Sequence, residues 1–312
     1  MKISLKSQNA GWVIDQIVHD YIKFTRHDVV RLKDNPDVFW CVILFKFPEM
    51  TSRIPKDCVS VVHIHHIDET KLREYDFANF NKADLCVVCN KKTKNIAKKY
   101  IDVPIFTLPY WVLTSSMHPR DDAKVQGLRQ ELAPNGEVLI GSFVKDGEGN
   151  LGNMPKLSKG PDIFVEVIRH LHKKLNIKVV LAGHARRYVI GSLEKDGIPY
   201  IYKERYSDIC SLYDVLDWYL VTSRCEGGPQ SVLESSYRNI KILSTDVGIA
   251  TDILHPDCIC SNIGVFVEKI EACVDQRMYN YNKVINEYMP QNVIPIWDTF
   301  FEDVCQNKDS LV

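Results

Sequence analysis

Twice along this chain, short apolar runs rich in Val and Ile alternate with segments whose apolar residues recur every three or four positions. A polar, proline-marked stretch separates the two series. Parallel strands need a crossover helix between neighbours, so such alternation implies parallel sheets covered by helices. In the first series, strands are expected at Lys2–Ser4, Val38–Phe45, Ser60–Ile64, Leu85–Val88 and Pro104–Leu108, with helices over Trp12–Phe24 and Lys91–Tyr100. The stretch PYWVLTSSMHPR, residues 109–120, reads as a linker. The second series places strands at Val138–Phe143, Lys178–Ala182, Ile198–Tyr202, Trp218–Val221 and Lys241–Ser244. Its helices are Pro161–Leu175, Ile209–Val215, Ser231–Arg238 and Met289–Val304. With no internal repeat or low-complexity tract, two doubly wound units account for the whole chain. The ligand crevice is then expected at the carboxyl ends of the strands.

At 312 residues and 45% hydrophobic content, the chain can build two cores. A formal charge of −1 gives no overall field to draw it to nucleic acid or to a membrane, so any such attraction has to be local. The start MKISLKSQNAGWV lacks the apolar run of a signal peptide. No later run approaches the roughly 18 apolar residues of a transmembrane helix, which points to a cytoplasmic protein, peripheral to a membrane at most. The ten cysteines are expected reduced, and those in apolar runs, such as Cys41 and Cys86, act as small core residues.

The chemistry concentrates between Ser223 and Gly248, where EGGPQSVLE sets Glu226 and Glu234 at the two ends of a glycine-rich turn. A nucleotide sugar presents a base, a ribose diol, a doubly charged diphosphate and a sugar whose anomeric carbon becomes cationic. Glu234 suits the ribose: it lies near the start of a helix, and charge-assisted hydrogen bonds contribute roughly 1.5–3 kcal/mol each. After Glu226, the bare Gly227 and Gly228 let backbone N–H groups approach phosphates and sugar at a helix N-terminus. Lys145, after GSFV, and Lys159, before Gly160, can neutralise the diphosphate. Taken singly, each has a plainer reading, an ordinary turn or a solvated lysine. Their order along the chain favours one ligand touching successive strand ends: strand, Lys145, KGPD helix start, LAGH strand end at Gly183, then EGGPQSVLE.

These stretches resemble the retaining glycosyltransferases of family 4. The match is carried by GSFVKDGEG, LSKGPDIFVEVI, VVLAGH and SRCEGGPQSVLESSYRNIKILSTDVGIATDIL, which looks like the family's Glu-x7-Glu donor signature. The resemblance implies the GT-B fold, α/β with two Rossmann-like doubly wound domains facing across a cleft. Residues 1–115 would form the acceptor-side domain, 116–285 the nucleotide-sugar-binding domain, and 286–312 a helix returning to the first. It implies that Glu226 contacts the donor sugar and Glu234 the ribose, with Gly227, Gly228, Pro229, Gln230, Ser231, Val232 and Gly183 lining the donor site. Lys159 with a basic partner would bind the diphosphate, and Gly11 would approach the phosphates from the other domain. The partner is usually arginine in the family, whereas this chain has Lys145, which cannot make a planar bidentate contact. The implied reaction retains anomeric configuration, takes a UDP- or GDP-sugar, needs no metal, and delivers the sugar to a glycan or other glycoconjugate hydroxyl.

His63, His65 and His66 end an apolar strand, and His65 matches the family's cleft histidine near sugar and acceptor; a satisfied strand-end histidine is the alternative. Zinc shared with Cys86 and Cys89 is rejected, because residues three apart on a strand point to opposite faces. The helix carrying Lys91, Lys92, Lys94, Lys98 and Lys99 could touch anionic lipid weakly. A solvated face is favoured, since no strong apolar stripe lies beside the lysines. Rival functions are a sugar-nucleotide epimerase, for which no elimination residues are found, and a noncatalytic nucleotide-sugar-binding protein. A dehydrogenase is disfavoured because no G-x-G-x-x-G follows the first strand.

Overall fold

Two six-stranded, wholly parallel sheets organise the chain. The computed structural model describes residues 1–7, 13–114, 117–149 and 152–308. The chain divides into two compact units, unit 1 being Met1–Ser115 with Asn286–Val312 and unit 2 being Ser116–Ile285. In unit 1 the order is β1 (Lys2–Lys6), α1 (Val13–Phe24), β2 (Asp28–Val29), β3 (Val38–Cys41), β4 (Val59–Ile64), β5 (Leu85–Val88), α2 (Lys91–Ala97) and β6 (Ile105–Thr107). The sheet runs β2-β1-β3-β4-β5-β6, so its direction of winding reverses between β1 and β3. VFWC in β3, VSVVHI in β4 and LCVV in β5 are buried along their whole length, as strands covered on both faces should be.

Unit 2 contains α3 (Asp122–Leu132), β7 (Val138–Ser142), the short hairpin β8 (Gly147–Glu148) and β9 (Met154–Pro155), α4 (Pro161–His172), β10 (Ile177–Ala182) and α5 (Arg187–Lys195). It continues with β11 (Tyr200–Lys203), α6 (Ile209–Asp214), β12 (Trp218–Val221), α7 (Gln230–Tyr237), β13 (Lys241–Thr245), β14 (Ile259–Cys260), α8 (Ile263–Glu271) and α9 (Arg277–Glu287). Its strand order β11-β10-β7-β12-β13-β14 is the Rossmann 3-2-1-4-5-6 pattern, with the switch point between β7 and β12. Helix α4 shows why the local sequence folds as it does. Pro161 occupies its first turn, where a missing N–H costs nothing, and Phe164, Val165, Val167, Ile168 and Leu171 form one buried stripe.

The last helix, α10 (Pro290–Gln306), belongs to unit 1. Its Asp298 carboxylate accepts from Tyr21 Oη at 2.8 Å, Thr25 Oγ1 at 2.7 Å and the Arg26 N–H at 3.0 Å. Its Trp297 indole donates to Pro109 O at 2.9 Å and its ring lies 4.5 Å from that of Trp40.

Several sequence readings need correction. The strand expected over Val38–Phe45 stops at Cys41, where pairing with β1 ends; a 3₁₀ turn follows at Leu44–Lys46, with Phe45 exposed. The first half of the linker is core: Tyr110, Trp111, Val112 and Leu113 are buried, and the Val112 N–H donates to Tyr288 O. Expected helices end early at Ala97 and His172, and α3, α5, α8 and α9 were not read at all. Helices α3, α5 and α9 bury only two residues each, too few to stand out as a periodic stripe. Among the described residues no helix is long and apolar enough to cross a membrane. The ten cysteines are free thiols, and seven of them are buried.

Candidate functional site

At the switch point of unit 2, two turns are tied to one another. The turn after β12 donates its Arg224 and Cys225 N–H groups to Ser158 O, at 2.8 and 3.0 Å. Thr222 Oγ1 donates to Gly160 O at 2.9 Å, and the Arg224 guanidinium grips the Asp162 carboxylate at 2.7 and 2.6 Å and Leu157 O at 3.0 Å. Such a bidentate pair fixes direction as well as distance. These bonds fix the 3₁₀ turn Leu157–Lys159 against the loop that carries Glu226, and the Lys159 ammonium pairs with the Glu226 carboxylate. Ser223 Oγ donates to the same oxygen at 3.2 Å. The two side chains are 21% and 10% exposed, sheltered but reachable.

Glycine is required where backbones touch. Gly160 has φ +62°, and a Cβ there would sit 1.9 Å from Thr222 O; Gly248, at φ +51°, would collide with Gly227 O at 2.2 Å. Gly248 therefore backs the Gly227 carbonyl and belongs to the site, although sequence reasoning used it only as a boundary. Gly183 is required by its φ of +88° rather than by crowding.

Behind the turn, Glu234 is the fifth residue of α7, in its second turn rather than at its start. Its Oε2 accepts from the buried Tyr213 Oη at 2.8 Å, and burial raises its pKa against the lowering effect of that bond. The Gln230 carboxamide opens α7 with both Oε1 and Nε2 buried and without a partner among the described residues. A buried amide left unpaired costs about 1–3 kcal/mol, which a bound polar ligand would recover. Gly227, Pro229, Ser231 and Val232 are buried and Gly228 half-buried. Lys145 follows β7, exposed, with no ion pair among the described residues.

Sequence reasoning missed the buried pair beside Lys145. Arg186 is fully buried and donates through Nη1 to Ser142 O at 2.6 Å and Ala182 O at 3.0 Å, the last residues of β7 and β10. Its Nε lies 2.9 Å from Asp146 Oδ2 but off the hydrogen-bond line, so the contact is an ion pair rather than an aligned bond. Burial pushes the Asp146 carboxyl up to about 6, with Arg186 opposing. No sequence periodicity flags a side chain that folds back from a turn.

Unit 1 holds the remaining candidates. His65 Nε2 lies 2.6 Å from Val42 O, so it donates, and Nδ1 then accepts from Tyr110 Oη. Burial lowers the imidazole to about 4. His63 stacks on His65 with ring centroids 4.2 Å apart and is fully buried, with neither nitrogen partnered among the described residues. Gly11 lies outside the described residues. Among the described residues, the cluster with metal-ligand spacing is His118, Asp208 and Cys210 in unit 2, where Ser211 and Lys124 already bind the Asp208 carboxylate. In α2, Lys91 is exposed, and Lys99 beyond its end pairs with Glu69 at 2.9 Å.

Neither family-level comparison nor comparison with curated proteins finds a match to this sequence. Solved structures do match. HepE from Anabaena, in complex with UDP-glucose, is similar over 98% of this chain and 99% of its own, with TM-score 0.69 and 11% identity. The fold is GT-B. The GtfA/B complex is similar over 86% of this chain with TM-score 0.57 and 18% identity, and S. aureus TarM over 85% with 0.63 and 17%. The chain spans only 57% and 55% of those two. These structural neighbours are GT-B glycosyltransferases. At such identities the likeness shows architecture, two Rossmann-like units of six parallel strands each, and leaves the chemistry to the site.

Proposed function

We propose that this chain is a retaining glycosyltransferase of family 4 type, moving a sugar from a UDP- or GDP-sugar to a hydroxyl of a glycan, lipid-linked or protein-linked acceptor. The observation that carries the reading is the buried Gln230 carboxamide, without a partner among the described residues and four residues along the chain from Glu226 of the Lys159–Glu226 pair, at the switch point of a Rossmann sheet. The solved neighbours add support, since HepE is complexed with UDP-glucose and TarM with UDP, fondaparinux and α-GlcNAc-glycerol.

In this reading Glu234, held by Tyr213, takes the ribose diol, and Glu226 takes sugar hydroxyls. Lys159 exchanges its carboxylate partner for the diphosphate as negative charge develops on the leaving group. Lys145, exposed and without an ion pair among the described residues, is the second cation, and Gly227, Gly228 and Gly183 give the donor access to backbone. The acceptor hydroxyl attacks from the face the diphosphate leaves, which retains configuration without a protein nucleophile. His65 is assigned to the acceptor side as a neutral, internally fastened ring, and unit 1 as the acceptor domain. Because lysines take up the diphosphate charge, EDTA should leave turnover unchanged.

A thermal-shift screen against UDP-, GDP-, ADP- and CMP-sugars tests the reading. A selective rise with a UDP- or GDP-sugar is expected, and no shift with any of the four would overturn it.

A further inference from the structure

A strained turn buries a cation beneath the strand ends of unit 2. Ala185 stands at φ +58°, a conformation a residue with a Cβ rarely adopts. The β8–β9 hairpin presses on it: a Cβ on Gly152 would lie 2.3 Å from Ala185 O, and one on Gly147 2.5 Å from the same atom. Such strain persists only where the surroundings over-determine it, and it concentrates at functional sites. Here it folds Arg186 back to bind the last carbonyls of β7 and β10 and to face Asp146, whose Oδ1 is buried without a partner among the described residues. Asp146 joins the two lysine-bearing segments. It follows Lys145 directly, its carbonyl accepts the Lys156 N–H at 2.8 Å, and the Lys156 carbonyl accepts the Lys159 N–H at 2.8 Å.

We propose that Arg186 and Asp146 are a positioning pair for the donor site, fixing the Lys145 and Lys159 segments and coupling donor binding to a proton on Asp146. The proposal rests on the donor reading above. Arg186 has no exposed surface and cannot touch a ligand, so it acts through the segments it holds. A diphosphate at the adjacent strand ends adds negative charge, which favours the protonated carboxyl. By linkage, protonation of Asp146 favours the diphosphate by the same factor. Burial already holds this carboxyl at about 6. The other groups facing the pair are Tyr202 of β11 and Tyr219 of β12, with Arg187 and Glu204 beyond Tyr202, and both phenols are raised above their ordinary value by burial. Exposed His184 lies in the same turn and is replaced as a control.

The test is calorimetric binding of UDP-glucose, and of GDP-glucose if the first does not bind, between pH 5 and 8. Both carry a diphosphate diester with no ionisation of its own in that range. Wild type and H184Q should bind on the order of fivefold more tightly at the acid end, the low end of ordinary site coupling, with the transition near pH 6. Asp146→Asn should bind tightly at every pH. A slope kept in D146N, lost in H184Q, or missing from the wild type overturns the proposal. A ligand-free measurement separates its failure from failure of the donor reading. The raised carboxyl favours the fold below about pH 3.8 and loses that contribution as pH rises through about 6, so the wild-type melting temperature should fall relative to D146N across that window. Without this fall the pair is misassigned; with it, but without binding of either sugar, the donor reading fails and the coupling with it.

Discussion

The strand-end turns of unit 2 and the strand-end histidines of unit 1 deploy their polar atoms in opposite ways. In unit 2, among the described residues, Lys159 and Glu226 are held by neighbouring turns yet form their ion pair only with one another, Lys145 has no ion pair, and the Gln230 carboxamide has no partner. In unit 1, His65 commits one nitrogen to a backbone carbonyl and the other to a tyrosine. Its neighbour His63 is sealed among Trp40, Tyr110 and Trp297. Both regions follow apolar parallel strands, and both carry residue types associated with catalysis. The difference teaches that residue type at a strand end marks where to look, and that leftover hydrogen-bonding capacity points to a ligand only where reachable side chains adjoin it, as Lys159 and Glu226 do near Gln230 and as nothing among the described residues does at the fully buried His63.

The sharpest way to break this contrast is to remove the exchangeable cation. Lys159→Ala should lower turnover by on the order of 10²–10³, the cost of losing one preorganised electrostatic contact, with its melting temperature near that of the wild type. Near-normal transfer would remove Lys159 from the mechanism. The scaffold beneath it should respond in stability instead. Gly160→Ala must place a Cβ against Thr222 O at positive φ, so a loss of about 2–3 kcal/mol is expected in urea denaturation. Unchanged stability would mean that the two turns are not locked together.

In unit 1 the two histidines should separate. His65→Phe removes the ring that binds Val42 O and Tyr110 Oη and should cost about 1–3 kcal/mol, whereas His63→Phe removes two nitrogens without a partner among the described residues and should be neutral or mildly stabilising. Equal losses would show that His63 has a buried partner. Burial lowers both imidazoles, His65 to about 4 and His63 well below 6.5. Each is neutral in the fold and protonated when unfolded below pH 6.5. The stability they confer is present above that pH and declines as pH falls toward 4. Acid titration of His65→Phe should therefore show a shallower loss than the wild type across this window.

Much of the fold was legible because its strands are unusually apolar. VFWC, VSVVHI, LCVV, IKVVLA and WYLV need no partner information to be recognised as strands buried on both faces. Helices α3, α5 and α9 were not, since Val189 and Leu193 alone, or Asn280 and Val284 alone, anchor a whole helix. Aromatic residues in PYWVL were hidden by the flanking prolines and polar residues, which outweighed them in a composition reading. At the site, Lys159, Glu226 and Gln230 were visible because each lies in a turn or helix start, and Glu234 because it closes the EGGPQSVLE stretch. Asp146, Arg186 and Gly248 were not, because their roles depend on contacts between separate strand ends. No spacing within the sequence encodes that Gly248 lies under Gly227 or that Arg186 reaches back to Ser142.

The smallest expected effect concerns a third kind of polar surface, the lysines of α2. Lys91 and Lys92 occupy the first turn of that helix, after the Asn90 cap whose Oδ1 accepts the Thr93 N–H at 2.8 Å. Cations there oppose the positive end of the helix dipole, whereas a lipid-binding helix would need them for attraction to anionic headgroups. The buried residues of this helix are Thr93 and Ala97, neither of them a lysine. The double change Lys91→Glu and Lys92→Glu should therefore stabilise unit 1 by about 0.3–1 kcal/mol, and vesicle co-sedimentation should be unchanged. Loss of sedimentation would instead show that these lysines face a membrane at a small cost to the fold, making them a second region where polar side chains mark a binding surface.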